Sequence, residues 1–169
     1  PRSNEETIER VMKLMEKGNA DAFNQLGGYY AQGTMGLPQD EAKATELFLK
    51  AGELGCAVAY YNLGILYYAG RGVEVDKKKA KYYYELAAVN GDVNARRNLG
   101  TIEGQDGNHE RAMKHLRITA RAGDKLSLDS VKKGYMSGFV TKEQYSNTLR
   151  EYQNSQDEMK SKARDKALA

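Results

Sequence analysis

Three short patterns in the chain use residue types that could do chemistry. Ser130-Val131-Lys132-Lys133 places a hydroxyl three residues before an amine, the Ser-x-x-Lys arrangement in which a lysine can serve a serine nucleophile in acyl transfer. The Ser-Asp-Asn and Lys-Thr-Gly segments that complete such a hydrolase site do not occur. His109-Glu110 followed by His115 has the composition of a zinc-binding helix, but its histidines stand six apart rather than four. At ~3.6 residues per turn, six residues rotate about 240° past a full turn, so the two imidazoles diverge and cannot share an ion. Gly100, Gly104 and Gly107 match neither a dinucleotide fingerprint nor a phosphate loop, follow no strand pattern, and read as a shortened inter-helix turn. Cys56 reads as a small buried apolar residue. No catalytic residue, cofactor-binding residue, cofactor or metal ligand is assigned, and an enzyme, such as a penicillin-binding or β-lactamase-like hydrolase, is the weakest functional class.

The elements that would have to position such groups repeat. Ala22-x-x-x-Leu26-Gly27-x-x-Tyr30, Ala59-x-x-x-Leu63-Gly64-x-x-Tyr67 and Ala95-x-x-x-Leu99-Gly100 each precede a polar residue (Asp40, Asp76, Asn108), an Ala (Ala44, Ala80, Ala112) and a Gly (Gly55, Gly91, Gly123). The repeat leucines are 37 and 36 residues apart, and each of those Ala–Gly intervals is 11. A fixed period of this size marks a solenoid of helix pairs, in which each unit buries its apolar face only against its neighbours. In each first helix, A, the Ala, Leu and Tyr at i, i+4 and i+8 make one apolar stripe. Gly27, Gly64 and Gly100 recur mid-helix at a cost of roughly 1 kcal/mol each, which implies close approach of a neighbouring helix. In each second helix, B, Asp40, Asp76 or Asn108 is the expected N-cap and Gly55, Gly91 or Gly123 the stop.

The expected fold is all-α, nine helices near residues 4–17, 21–32, 40–54, 58–69, 76–90, 94–103, 108–122, 126–137 and 141–162, wound as a right-handed superhelix. A single repeat domain, 1–169, divides into an N-terminal capping helix (1–19), repeats at 20–56, 57–92 and 93–124, a degenerate fourth repeat (125–140), and a C-terminal capping helix with a polar tail (141–169) whose last residues, 161–169, fray. Capping boxes at Ser3…Glu6 and Thr141…Gln144 open the two terminal helices.

Net charge is +3, divided as −3 over residues 1–56 and +6 over 57–169. A single cysteine forms no internal disulfide and points to a reducing, intracellular and cytoplasmic setting. No apolar run approaches ~18 residues, so no membrane partner is expected. The first residue is Pro1, without a Met or a leader, as in a processed or trimmed form. Tyr supplies 12 of the 15 aromatics, and its apolar ring with a polar tip suits both half-wet packing and interface anchoring.

Leu63-Gly64-x-x-Tyr67 with Ala80-x-x-x-Tyr84 is shared with tetratricopeptide repeats. The longer loop Gly70-Arg71-Gly72-Val73-Glu74-Val75-Asp76 and the junction Ala87-Ala88-Val89-Asn90-Gly91-Asp92 instead resemble the Sel-like (Sel-one) repeat family over about residues 20–138. Repeat one carries an extra loop residue, and repeat three lacks most of the loop and has Glu103 where the others have Tyr. The resemblance implies a non-catalytic adaptor or scaffold without a cofactor, and, with Cys56 alone, not a disulfide-bearing member. By resemblance to the groove positions of tetratricopeptide repeats, the A helices would present Asn24, Gly28, Tyr61, Ile65, Tyr68, Arg97, Thr101, Asp129, Lys133 and Met136 to a protein or peptide. The apolar centre at Tyr61, Ile65 and Tyr68 beside Arg97 and Lys133 suggests a segment with apolar anchors and an acidic end, bound by a monomer or weak homo-oligomer. A nucleic-acid-binding module using Lys77-Lys78-Lys79-x-Lys81 and Arg96-Arg97 is the alternative, disfavoured because the lysines lack stacking aromatics along a groove.

Overall fold

The computed structural model describes residues 3–168, of Leu168 the backbone only. Among these residues the chain forms helices and no strand. They are α1 (Asn4–Glu16), α2 (Ala20–Gln32), α3 (Glu41–Glu53), α4 (Ala57–Ala69), α5 (Lys77–Val89), α6 (Val93–Gln105), α7 (His109–Arg121), α8 (Lys125–Met136) and α9 (Lys142–Leu168). The first eight end within about two residues of the expected limits. The last is longer: it continues to Leu168 rather than fraying from Ser161. Lys160 to Ala167 is rich in Lys, Ala and Arg, strong helix formers, with neither Gly nor Pro to stop it. Ala169, the last residue expected to fray, lies outside the described residues.

Local chemistry explains most of the boundaries. Ser3 and Glu6 make the reciprocal capping box of α1, at 3.1 and 3.2 Å, and Thr141 and Gln144 make that of α9, both at 3.1 Å. Asp40 and Asp76 accept from the backbone N–H of Lys43 and Lys79, each at 2.9 Å. Asn108 departs from this pattern. It stands at the N-cap of α7 without a side-chain cap bond, and its Nδ2 donates instead to Glu103 Oε2 at 2.8 Å. Gly55, Gly91 and Gly123 follow their B helices at φ of 98°, 94° and 98°, the left-handed region that a Cβ disfavours. Gly104 lies inside α6, which reaches Gln105, so of the three glycines expected to form a shortened turn only Gly107 does so.

The chain divides into two compact units, Pro1–Ala95 and Arg96–Ala169. In the first, Val11, Leu26, Tyr30, Phe48, Leu63 and Leu66 form the core with the small residues Ala22, Ala44, Ala51 and Ala59. In the second, Leu116, Ala120, Val131 and Val140 are buried, with Met113, Leu128 and Tyr145 against them. The recurrent A-helix glycines have one purpose. A Cβ on Gly27 would stand 2.8 Å from the Phe48 ring, and one on Gly100 2.8 Å from Leu116 Cγ, while the Tyr84 ring takes the equivalent space at Gly64. The close approach is therefore made chiefly by the B-helix side chain of the same repeat, with the Ala44 and Ala112 carbonyls next nearest at Gly27 and Gly100.

Candidate partner-binding faces

In the first unit α2 and α4 meet through a pair of amides. Asn62 Nδ2 donates to Asn24 Oδ1 at 3.0 Å, which ties repeat two to repeat one. Beside this pair is a recess of about 200 Å³ lined by Gly28, Gln32, Asn62, Ile65 and Arg71, with Phe48 at its base. Nothing lies within 4 Å of where a Gly28 Cβ would be. Arg71, from the loop after α4, reaches back to repeat one: its Nε donates to Glu41 Oε1 at 3.0 Å and its Nη2 to the Ala31 carbonyl at 3.5 Å. The structure thus brings Gly28 and Ile65 to one recess and places Asn24 at its edge.

Tyr61 and Tyr68 are half-buried, about one turn to either side of Ile65 on α4, and do not line the recess. The Tyr61 ring tilts against Tyr84 at 5.9 Å, and Lys77 Nζ stands 5.9 Å from the Tyr68 ring. Tyr60, Tyr67, Tyr82 and Tyr83 form a continuous aromatic cluster, Tyr83 touching the other three at 5.3–6.1 Å between centroids. Burial pushes the Tyr60 and Tyr83 hydroxyls above the ordinary tyrosine pKa. Most of the tyrosine excess in this unit is ring-on-ring packing.

In the second unit Asp129, Lys133 and Met136 share an exposed face of α8, and Met136 is 77% exposed. Arg97 has a different setting. Its Nη1 donates to Asp124 Oδ1 at 2.8 Å, and Thr101 Oγ1 turns back to the Arg97 carbonyl at 3.2 Å. Asp124 caps α8, accepting at Oδ2 from the Ser127 backbone N–H at 2.9 Å and from the Ser127 hydroxyl at 2.5 Å. Thr119 donates to Ser127 at 2.6 Å, and both hydroxyls are buried. Burial alone would raise the Asp124 pKa; the hydrogen bonds from Ser127 and the Arg97 guanidinium outweigh it and hold the carboxyl below its ordinary value.

Sequence reasoning missed this chain of four polar residues, although a signal was present. Counting from the closing Gly, Thr119 and Ser127 occupy the positions of Ala51 and Ala59 in the first junction and of Ala87 and Ala95 in the second. Glu103 is similar: it stands in the register of Tyr30 and Tyr67 and is fully buried, with Arg111 Nε 3.5 Å from Oε1.

The chemistry-bearing motifs take local roles. Ser130 Oγ donates to the Leu126 carbonyl within its own helix at 3.0 Å. His109 stacks on Phe139 with centroids 4.2 Å apart. Cys56 is buried. Among the described residues no group of three or more His, Cys, Asp or Glu could hold a metal ion. No described helix is long and apolar enough to cross a membrane.

This paired-helix geometry, with its Gly–aromatic contacts and long Arg71 loop, has relatives. The Sel1 repeat model matches residues 20–56, 57–92 and 93–124. The chain belongs to the Sel1 repeat family. Among curated proteins, an ERAD-associated E3 ubiquitin-protein ligase component from Arabidopsis thaliana, HRD3B, is 41% identical over 90 residues, which is 52% of this chain and 13% of that protein. Among solved structures, the Sel1 repeat protein from Oxalobacter formigenes superposes with a TM-score of 0.73 at 29% identity, covering 94% of this chain and 64% of that one. The protective antigen c5321 of uropathogenic Escherichia coli, which displays an SLR fold, gives 0.75 at 30% identity, covering 89% and 33%. The chain spans well under two thirds of the length of the Arabidopsis relative. Family and neighbours agree on an all-α solenoid of tetratricopeptide-like helix pairs.

Proposed function

We propose that this Sel1 repeat chain is a non-catalytic protein-interaction scaffold that holds a peptide or protein segment along its A-helix face. The observation that carries this reading is the recess between α2 and α4. It has a floor at Phe48, an apolar wall at Ile65, amide donors and acceptors at its edge, and unfilled space above Gly28. An apolar anchor set among a few fixed polar groups is the usual composition of a binding hot spot. The likeness to an E3 ligase component supports a role among protein partners. On this reading the segment continues from Asn24, Gly28 and Ile65 past Tyr61 and Tyr68. The second unit offers a face of its own, with Thr101, Asp129, Lys133 and Met136 as its candidate contacts, and Arg97 steadies the start of α8. The net positive second half favours a partner with an acidic segment.

The test is affinity capture by wild-type chain and by a Gly28→Leu, Ile65→Lys variant, with bound proteins compared quantitatively. A Cβ at Gly28 meets nothing within 4 Å and the rest of a leucine would extend into the recess, so circular dichroism and melting temperature should hold while partner recovery falls by about tenfold or more, the loss of one hot spot. Equal recovery by both proteins would overturn the reading. An Arg97→Glu variant is unsuitable here because it would set a second carboxylate against Asp124.

A further inference from the structure

Arg117 and Arg121 stand one turn apart on α7, the helix that packs against α9. The same two positions, counted back from the closing Gly, are Leu49 and Glu53 in repeat one and Glu85 and Val89 in repeat two. The pair of guanidiniums is therefore peculiar to repeat three. Both side chains are partly withdrawn from solvent; the buried Nε of Arg117 makes no hydrogen bond among the described residues, and the buried Nε of Arg121 faces a carboxylate. Glu151 on α9 lies 3.1 Å from Arg121 Nε, and its charge also pulls on Arg117 without pairing with it directly. Burial, and then the neighbouring Arg121 charge, push the Arg117 pKa below its ordinary value against the pull of Glu151.

Two cations and one anion leave a single positive charge uncompensated in a half-buried place, a costly arrangement unless something completes it. One more carboxylate brings the cluster to neutrality. A phosphate dianion would overshoot and sit against Glu151. Guanidinium forks match carboxylates through paired N–H···O bonds. Ile118, 47% exposed, lies next to Arg121 on the helix surface and offers an apolar rim. We infer that Arg117 and Arg121 form a docking point for a carboxylate side chain of an acidic segment in a protein partner, on the B-helix side of the third repeat. This rests on the scaffold reading but sits apart from the A-helix face, so either can fail while the other stands.

Acetylated and amidated pentaglutamate is the probe, titrated into 15N-labelled chain at constant ionic strength. The Nε–Hε signals of Arg117 and Arg121 should shift saturably, and sodium chloride at the same ionic strength should not reproduce the shift. Arg117→Gln should weaken binding about fivefold, with Arg117→Lys intermediate. Gly28→Leu should bind the peptide as wild type does, which separates this site from the recess. Shifts matched by chloride, affinity unchanged in Arg117→Gln, or inorganic phosphate binding more tightly than pentaglutamate would each overturn the assignment. Should Arg117→Gln fail to fold, the wild-type titration alone decides.

Discussion

The Phe48 ring lies over Gly27, so that a Cβ there would stand 2.8 Å from the ring edge, whereas the next residue, Gly28, faces open space. Two adjacent glycines in one helix should thus respond to the same substitution in opposite senses. Gly28→Ala gains helix propensity, up to ~1 kcal/mol, and meets nothing. Gly27→Ala gains the same but forces the ring out of place, and overpacking of this kind costs ~1–3 kcal/mol. Urea unfolding should show a raised midpoint for Gly28→Ala and a lowered one for Gly27→Ala at unchanged slope. A Gly27→Ala protein as stable as wild type would show that the ring moves aside freely.

The buried Thr119–Ser127 pair should be strongly coupled. Each single change to Ala removes the hydrogen bond between the two hydroxyls, about 0.5–1.5 kcal/mol, while Ser127 keeps Asp124 or Thr119 keeps the Leu116 carbonyl. The double change recreates the Ala–Ala pair of the two preceding junctions and removes both polar groups together. Measured as a double-mutant cycle, Thr119→Ala and Ser127→Ala should cost less together than the sum of their separate effects, by about 1 kcal/mol or more. Additive losses would mean that the hydroxyls act independently.

These contrasts show what could be read from the sequence. The Gly27–Phe48, Gly64–Tyr84 and Gly100–Leu116 contacts were legible as a recurrent glycine, because a fixed period makes any repeated cost visible. The identity of the intruding atom was not, since a glycine does not tell whether backbone or ring approaches it. Thr119, Ser127 and Glu103 break the repeat register, and a single polar residue at a core position reads equally as loop decay or as a buried network. The capping choice of Asn108 depends on where Glu103 points, a tertiary fact. Gly28 and Ile65 were placed on the A-helix face by resemblance, but the recess they share needs the lateral contact of α2 with α4.

Acid should weaken the second unit through Asp124. Its carboxyl is held below the ordinary value in the folded state by Ser127 and Arg97, so its contribution is complete above the unfolded value of ~3.9. As pH falls through the lower, folded value the contribution is lost, because the unfolded chain takes up the proton first. Stability measured from pH 7 to 2 should decline more steeply below about pH 4 in wild type than in Asp124→Asn. The variant should be less stable at neutral pH, and the two curves should converge in acid. Parallel curves would show that other carboxyls dominate acid unfolding.

The last expectation concerns Glu103, fully buried, with Arg111 Nε 3.5 Å from one carboxylate oxygen and Asn108 donating to the other at 2.8 Å. A buried carboxylate needs opposite charge to offset its desolvation, and removing one partner of such a pair is costlier than neutralising both. Arg111 is 61% exposed, so solvent screens much of its attraction and the effect is smaller than for a fully enclosed pair. Arg111→Ala should therefore cost about 1–2 kcal/mol in the wild-type background, the range for a hydrogen bond or contact to a charged group. In a Glu103→Gln background the amide oxygen can still accept from Asn108 and no charge remains to be balanced. There Arg111→Ala should cost only a few tenths of a kcal/mol, the ordinary value for an exposed side chain on a helix. Chemical denaturation of the four proteins in this cycle decides it. An equal cost of Arg111→Ala in both backgrounds would mean that Arg111 acts through its alkyl chain and not through the buried charge.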